Sequence, residues 1–95
     1  MSIAEAIHRR HLLRFIYAGH ARVVEPHTYG IDSQGQTTLC AYQVSGGSDS
    51  GKPQGWKFFR VERMRDVSVL EKTFAAPRPE YKRDDNAFAT IHAQL

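Results

Sequence analysis

Between His11 and Leu70 the chain alternates five runs of β-forming residues with clusters of turn residues. In the first run Leu13, Phe15 and Tyr17 alternate with Leu12, Arg14 and Ile16. Successive side chains of a strand point to opposite faces, so this strand has apolar residues on both sides and is covered on both. Ala18-Gly19-His20-Ala21 is a hairpin-length connection with a glycine available for positive φ. Arg22-Val23-Val24-Glu25 resumes the pattern. Pro26 withholds a ladder donor and marks a bulge, an edge or a break; Tyr29 and Ile31 carry the strand beyond it. Residues 32–36 read as a turn and residues 37–44 as the third strand. Residues 45–55 hold four of the seven glycines, three serines and a proline, the composition of a long hairpin loop. Residues 56–61 form the fourth strand, Glu62-Arg63-Met64-Arg65 one 3₁₀ turn, and Val67, Val69 and Leu70 the fifth strand. An open sheet of five short strands would expose two edges, and closure removes them. The expected fold is mainly β, a small five-stranded barrel.

The two ends read as helical. Ser2 with Glu5 makes a capping box, and Ile3, Ala6, Ile7 and Arg10 recur at helical spacing. A helix this short is marginal alone and docks through Ile3 and Ile7. Ala75-Ala76-Pro77-Arg78-Pro79 is an extended connector, because a residue before proline is driven out of the α region. Asp84 or Asp85 would cap a last helix over residues 86–94, with Phe88, Ile91 and Leu95 on one face. The division is a barrel over residues 1–74 and a connector with a helical tail over 75–95. The tail docks on the same core or on a second copy.

With 95 residues, one core is feasible and a second domain is not. Thirteen Lys and Arg against ten Asp and Glu give a net charge of +3, which favours an anionic partner only mildly. Cys40 is the sole cysteine, so no intrachain disulfide forms. No run is long enough to span a bilayer. His8, Arg9 and Arg10 interrupt what would be a signal peptide's apolar stretch. A cytoplasmic protein that does not engage a membrane is the expectation.

Catalytic and metal chemistry find little support. Cys40 lies mid-strand without a sign of thiolate activation, and no serine sits in a nucleophile elbow. Residues 46–52 have a superficial likeness to a phosphate loop. They lack its glycine spacing and its Gly-Lys-Ser/Thr ending, because Pro53 follows Lys52. His8 and His11 could share a helix face, but a metal needs three or four ligands and no third is evident. His27 would line the same face as Tyr29. No enzyme, catalytic residue, metal or cofactor is expected.

The binding signal lies in Gly55-Trp56-Lys57-Phe58-Phe59-Arg60-Val61-Glu62-Arg63-Met64. Phe59 and Val61 share one face; Phe58 and Arg60 share the other. If the first pair is core, the second offers a ring and a guanidinium to a ligand. A guanidinium grips phosphate with two parallel hydrogen bonds, and an aromatic stacks on a base. The competing reading pairs Arg63 with Glu62 or Asp66, and Arg60 with Glu25, as ordinary ion pairs. Trp56 is either part of a stacking platform with Phe58 or a cover or dimer contact.

The order of residues from Ile3 to Phe74 resembles the WYL domain, an Sm-like/SH3-type barrel of bacterial transcription and phage-defence regulators. The matching pieces are Leu13-Arg14-Phe15-Ile16-Tyr17, then Arg22-Val23-Val24-Glu25-Pro26, then Gly35 before Thr37-Thr38-Leu39, and last Phe59-Arg60-Val61-Glu62-Arg63-Met64. Thr37 and Thr38 stand where the family's Trp-Tyr would be; Leu39 is retained. The resemblance implies a regulatory, ligand-sensing module that binds a single-stranded nucleic acid or nucleotide-like anion. It places Arg22, Arg60 and Arg63 at a basic ligand site with Tyr17 nearby. Family members usually follow a helix-turn-helix domain, and this chain carries none. The alternative function is a structural protein, a homodimer or the partner of another regulator.

Overall fold

The computed structural model describes residues 1–49 and 51–95. Helix α1 (Ile3–Arg9) is followed by β1 (His11–Tyr17), β2 (His20–Asp32), β3 (Thr37–Gly46), β4 (Gly55–Arg60), a 3₁₀ turn (Val61–Arg63), β5 (Arg65–Thr73) and β6 (Phe88–Gln94). The capping box forms as expected: the Ser2 hydroxyl accepts the Glu5 N–H, and the Glu5 carboxylate accepts the Ser2 N–H, both at 3.1 Å. Ala6 and Ile7 are fully buried against the sheet. The β1–β2 turn tightens to two residues, Ala18 (φ 51°) and Gly19 (φ 78°). Positive φ at both central positions matches the right-handed twist of a hairpin.

The five expected strands all form, and a sixth joins them. The strand order is β4-β3-β2-β1-β5, every ladder is antiparallel, and β6 pairs with β2. The long β2 is the spine. Its first half pairs with β1 and its second half with β6, while β3 lines its other side. Among the described residues no ladder joins β4 to β5, so the sheet is bent but not closed, unlike the barrel expected. A side chain spans the seam instead: the Tyr17 hydroxyl, at the end of β1, accepts the Arg60 N–H at 3.1 Å. The free edge on β5 is interrupted by register shifts against β1 and by Asp66 at φ 52°, features that discourage edge-to-edge pairing.

The C-terminal helix expected over 86–94 is absent; residues 88–94 are strand. Phe88, Ile91 and Leu95 satisfy a helical spacing, but β2 beyond Val24 offers an edge that β1 does not reach. A waiting ladder outweighs a weak local preference. Gly30 permits the close approach: a β-carbon there would lie 2.1 Å from the Thr90 carbonyl oxygen.

The core lies on the concave side of the sheet. Leu13, Phe15, Val24, Leu39, Ala41 and Phe59 fill it, with Ile7 from the helix and Ala93 from β6. The Phe15 and Phe59 rings meet edge to face at 4.9 Å, a favoured aromatic geometry.

Candidate functional site

The convex face of β2, β3 and β4 presents three rows of side chains. Cross-strand pairing sets Glu25, Tyr42 and Trp56 in the first, Thr28, Cys40 and Phe58 in the second, and Gly30, Thr38 and Arg60 in the third. Alternation along β4 is as expected: Phe59 is 1% exposed, Phe58 55%. The segment between β5 and β6 crosses the first two rows. In the third, Gly30 lies against the Thr90 backbone of β6 and Thr38 is buried, while the Arg60 end is half-exposed.

Along the third row runs a cleft of about 410 Å³, lined by Tyr17, Asp32, Ser33, Gln34, Thr38, Phe58, Phe59, Arg60 and Ala87. That volume suits a small organic ligand. Three of the expected site residues, Tyr17, Phe58 and Arg60, meet here. Arg60 makes no ion pair among the described residues; Glu25, its anticipated partner, binds Arg78 instead. Asp32 is nearby, but its carboxylate is engaged in the loop. Oδ1 accepts the Gln34 and Gln36 N–H groups, each at 2.9 Å, and Oδ2 accepts the Thr38 hydroxyl at 3.2 Å. The Gln36 amide above all, then the Gln34 amide, the Thr38 hydroxyl and the charge of Arg60, hold the Asp32 carboxyl below its usual range. Arg60 is therefore the cation available to a ligand in this cleft, and Phe58 is the exposed ring beside it.

The other two arginines are elsewhere. Arg63 is exposed on the 3₁₀ turn, outside the cleft, without an ion pair to Glu62 or Asp66 among the described residues. Arg22 is 5% exposed and lies on the core side. Its Nε and Nη2 donate to the Tyr17 carbonyl at 3.3 and 3.1 Å, and Nη1 donates to Gln43 Oε1 at 3.3 Å. Its guanidinium carbon sits 5.5 Å from the Tyr17 ring and 5.6 Å from the Phe59 ring, within cation–π range. Arg22 supports Tyr17 from below, on the side away from the cleft.

The first row is built around His27. Pro26 pairs with Ala41 and Thr28 with Cys40, so His27 is the extra residue of a bulge. Bulges re-aim side chains, and this one turns the imidazole outward. Tyr29 pairs with core Leu39 and points the other way, so the two residues do not share a face as the sequence implies. His27 is fully buried between Trp56, Phe74 and Tyr81. Its Nδ1–H donates to the Glu25 carbonyl at 2.8 Å, and Nε2 accepts the Arg78 N–H at 3.1 Å. The ring is thus held neutral in one tautomer. Burial pushes its pKa down, and the Arg78 charge adds to this; the Glu25 carbonyl and carboxylate oppose it. Trp56, whose Nε1–H donates to the Pro79 carbonyl at 3.0 Å, lies beneath the crossing segment and is no open platform.

Cys40 is buried in the second row. Burial, with some contribution from Asp85, pushes its thiol up to about 12. The described residues contain no cluster of metal-ligating side chains, and no helix among them is long and apolar enough to cross a membrane.

No protein-family model matches the chain, and no curated protein matches it significantly. A solved structure does: proteasome accessory factor B/C (PafBC) of Arthrobacter aurescens, at 27% identity and a TM-score of 0.65. The fold is WYL-like. The match covers 86% of this chain but only 13% of PafBC, so the two share one module. The residues that sequence reasoning missed are Asp32, Thr38 and Ala87 in the cleft and Glu25, His27 and Arg78 beneath and within the crossing segment. Arg78 between two prolines was the one signal available for the latter.

Proposed function

We propose that this chain is a regulatory ligand-binding module, an open relative of the Sm-like/SH3-type barrel, that receives a nucleotide-like anion or the end of a single-stranded nucleic acid in the third-row cleft. The observation that carries the reading is the meeting of an unpaired Arg60 with an exposed Phe58 in one cleft of about 410 Å³. Arg60 grips a phosphate oxygen pair. Phe58 stacks on the base, an interaction worth about 1–3 kcal/mol. Tyr17 fixes the Arg60 backbone, Arg22 holds Tyr17, and Arg63, outside the cleft on the 3₁₀ turn, adds charge for a longer strand. Thr38, where the family carries an aromatic, leaves room; its hydroxyl is spent on Asp32 and Gln36. The likeness to PafBC, an accessory factor by name, supports a regulatory role, in transcription or defence.

Titration of nucleoside monophosphates and short single-stranded oligonucleotides at low and moderate salt tests this. Arg60→Ala removes a charged hydrogen-bonding pair, a loss of about 1.5–3 kcal/mol, or roughly ten- to hundredfold in affinity. With one or two cations engaged, log affinity should fall with log salt at a slope of about −0.7 to −1.4. Wild-type protein that binds neither probe, or an Arg60→Ala variant that binds as well as wild type, refutes the reading.

A further inference from the structure

Residues 74–87 separate β5 from β6 without helix or strand. Connections longer than about a dozen residues without secondary structure are uncommon in small domains and usually functional. This one is also held in an unusual way. Ala75, Ala76, Pro77, Pro79 and Glu80 are exposed, so apolar burial does not fasten it there. Phe74 and Tyr81 pack on His27 at either end, and Tyr81, Arg83 and Asp84 bond to Leu95 and Gln94; between them the chain is held by the Ala75 carbonyl, which accepts from Arg10 Nη1, and by Arg78 and the carbonyl after it. Arg78 Nε and Nη2 donate to the two Glu25 carboxylate oxygens at 2.7 and 3.1 Å. The guanidinium carbon lies 4.4 Å from the centre of the Tyr42 ring. The Arg78 N–H is caught by His27 and the Pro79 carbonyl by Trp56. The Tyr42 and Trp56 rings stand perpendicular at 5.7 Å, forming the two walls of a trough. Pro77 and Pro79 force the backbone between them to stay extended.

This is how a folded domain reads a short peptide: one anchor side chain, one backbone donor and one backbone acceptor, on an aromatic-lined trough. We infer that Glu25, His27, Tyr42 and Trp56 form a docking site for an extended peptide carrying arginine between prolines, filled here in cis by Pro77-Arg78-Pro79. The site is separate from the Arg60 cleft and does not depend on the function proposed for it. The Glu25 side chain is 9% exposed, and its carboxylate is left without a partner when Arg78 leaves. A buried carboxylate in that state recruits another guanidinium. The partner is therefore a proline-flanked arginine on another protein, competing with the internal segment.

The test uses the full chain and a synthetic peptide with the sequence of residues 75–82. Trp56 is the only tryptophan, and its fluorescence reports occupancy of the trough. Arg78→Ala removes the anchor side chain and leaves only the two backbone contacts of the internal segment, so the peptide should saturate this variant with at least tenfold higher affinity than wild type. Affinity should drop at least tenfold for a Pro-Ala-Pro peptide, and likewise in the Arg78→Ala/Glu25→Gln double variant. A folded Arg78→Ala variant that ignores the peptide, or binds it equally without its arginine, overturns the inference. If Arg78→Ala does not fold, wild type with millimolar peptide must show a shifted Trp56 indole N–H resonance; an unmoved resonance overturns it. A wild-type dimer in light scattering that Arg78→Ala abolishes would put a second copy in the trough, and overturns the choice of a foreign partner.

Discussion

The buried imidazole of His27 makes stability depend on pH. In the unfolded chain it titrates near pH 6.5. In the folded protein its pKa is lower, because burial disfavours the imidazolium and Arg78 repels it. Protonation would also turn Nε2 from the acceptor of the Arg78 N–H into a donor facing a donor. The unfolded state therefore takes up the proton first. Stability from His27 is complete above pH 6.5 and is lost as pH falls from there towards the folded pKa. The loss cannot exceed one proton, about 1.4 kcal/mol per pH unit. Between pH 7.5 and 5.5 the limit integrates to about 1.4 kcal/mol. That moves a urea midpoint by roughly 0.5–1.4 M. The carboxyls of Glu5 and Asp32 are also held low, but their contribution is lost only below about pH 4.5, outside this window. Urea unfolding followed by Trp56 fluorescence measures the effect, with His27→Gln as the comparison. Glutamine keeps an acceptor within reach of Arg78 but does not titrate. At pH 7.5 it should be less stable by about 1–3 kcal/mol, from the stranded Glu25 carbonyl, and its stability should be flatter between pH 7.5 and 5.5. Parallel curves for the two proteins would refute the account of a neutral, proton-resistant His27.

Two further predictions concern close approach and burial. Gly30→Ala places a β-carbon against the Thr90 carbonyl, backbone against backbone, so β6 must move off β2; a loss of about 1–3 kcal/mol, with faster amide exchange along residues 91–94, is expected, and an unchanged melting temperature would contradict the packing. The Cys40 thiol, pushed up to about 12 by burial, should react with a disulfide reagent at pH 8 no faster than the protein unfolds; rapid labelling of folded protein would show the second row to be open.

The strands that were legible in the sequence are those whose periodicity and turn chemistry agree. The β1 boundaries coincide because His11 to Tyr17 alternates cleanly and Ala18-Gly19 supplies the turn. The capping box at Ser2 and Glu5 was equally plain, since it is a purely local arrangement. The tail was misread for the opposite reason. Phe88, Ile91 and Leu95 fit a helix by spacing, and nothing local reveals that β1 stops short along β2. Which segment completes an edge is a property of the assembled sheet. The same holds for closure. Five strands predict that the edges need covering, but not that one tyrosine hydroxyl, on Arg60, spans the seam that a backbone ladder leaves open.

The site divided along the same line. Alternation in β4 turns Phe59 inward and Phe58 outward, as the structure has them. Sequence adjacency then overstated the company Arg60 keeps. Arg63 is three residues on, but the 3₁₀ turn carries it out of the cleft. Arg22 sits on the core-facing parity of β2 with Val24, and its guanidinium spends its donors on Tyr17 and Gln43. Trp56 and Phe58 have the same parity on β4, yet Phe58 is exposed and Trp56 is half-buried. The difference is made by a segment more than twenty residues away, which lays Arg78 and Pro79 over the first row and reaches the third only at Ala87. A face read from one strand is a statement about direction. Whether that direction meets solvent is decided by what the rest of the chain lays across it, and here that is the Arg78–Pro79 stretch, seated on Glu25, His27, Tyr42 and Trp56.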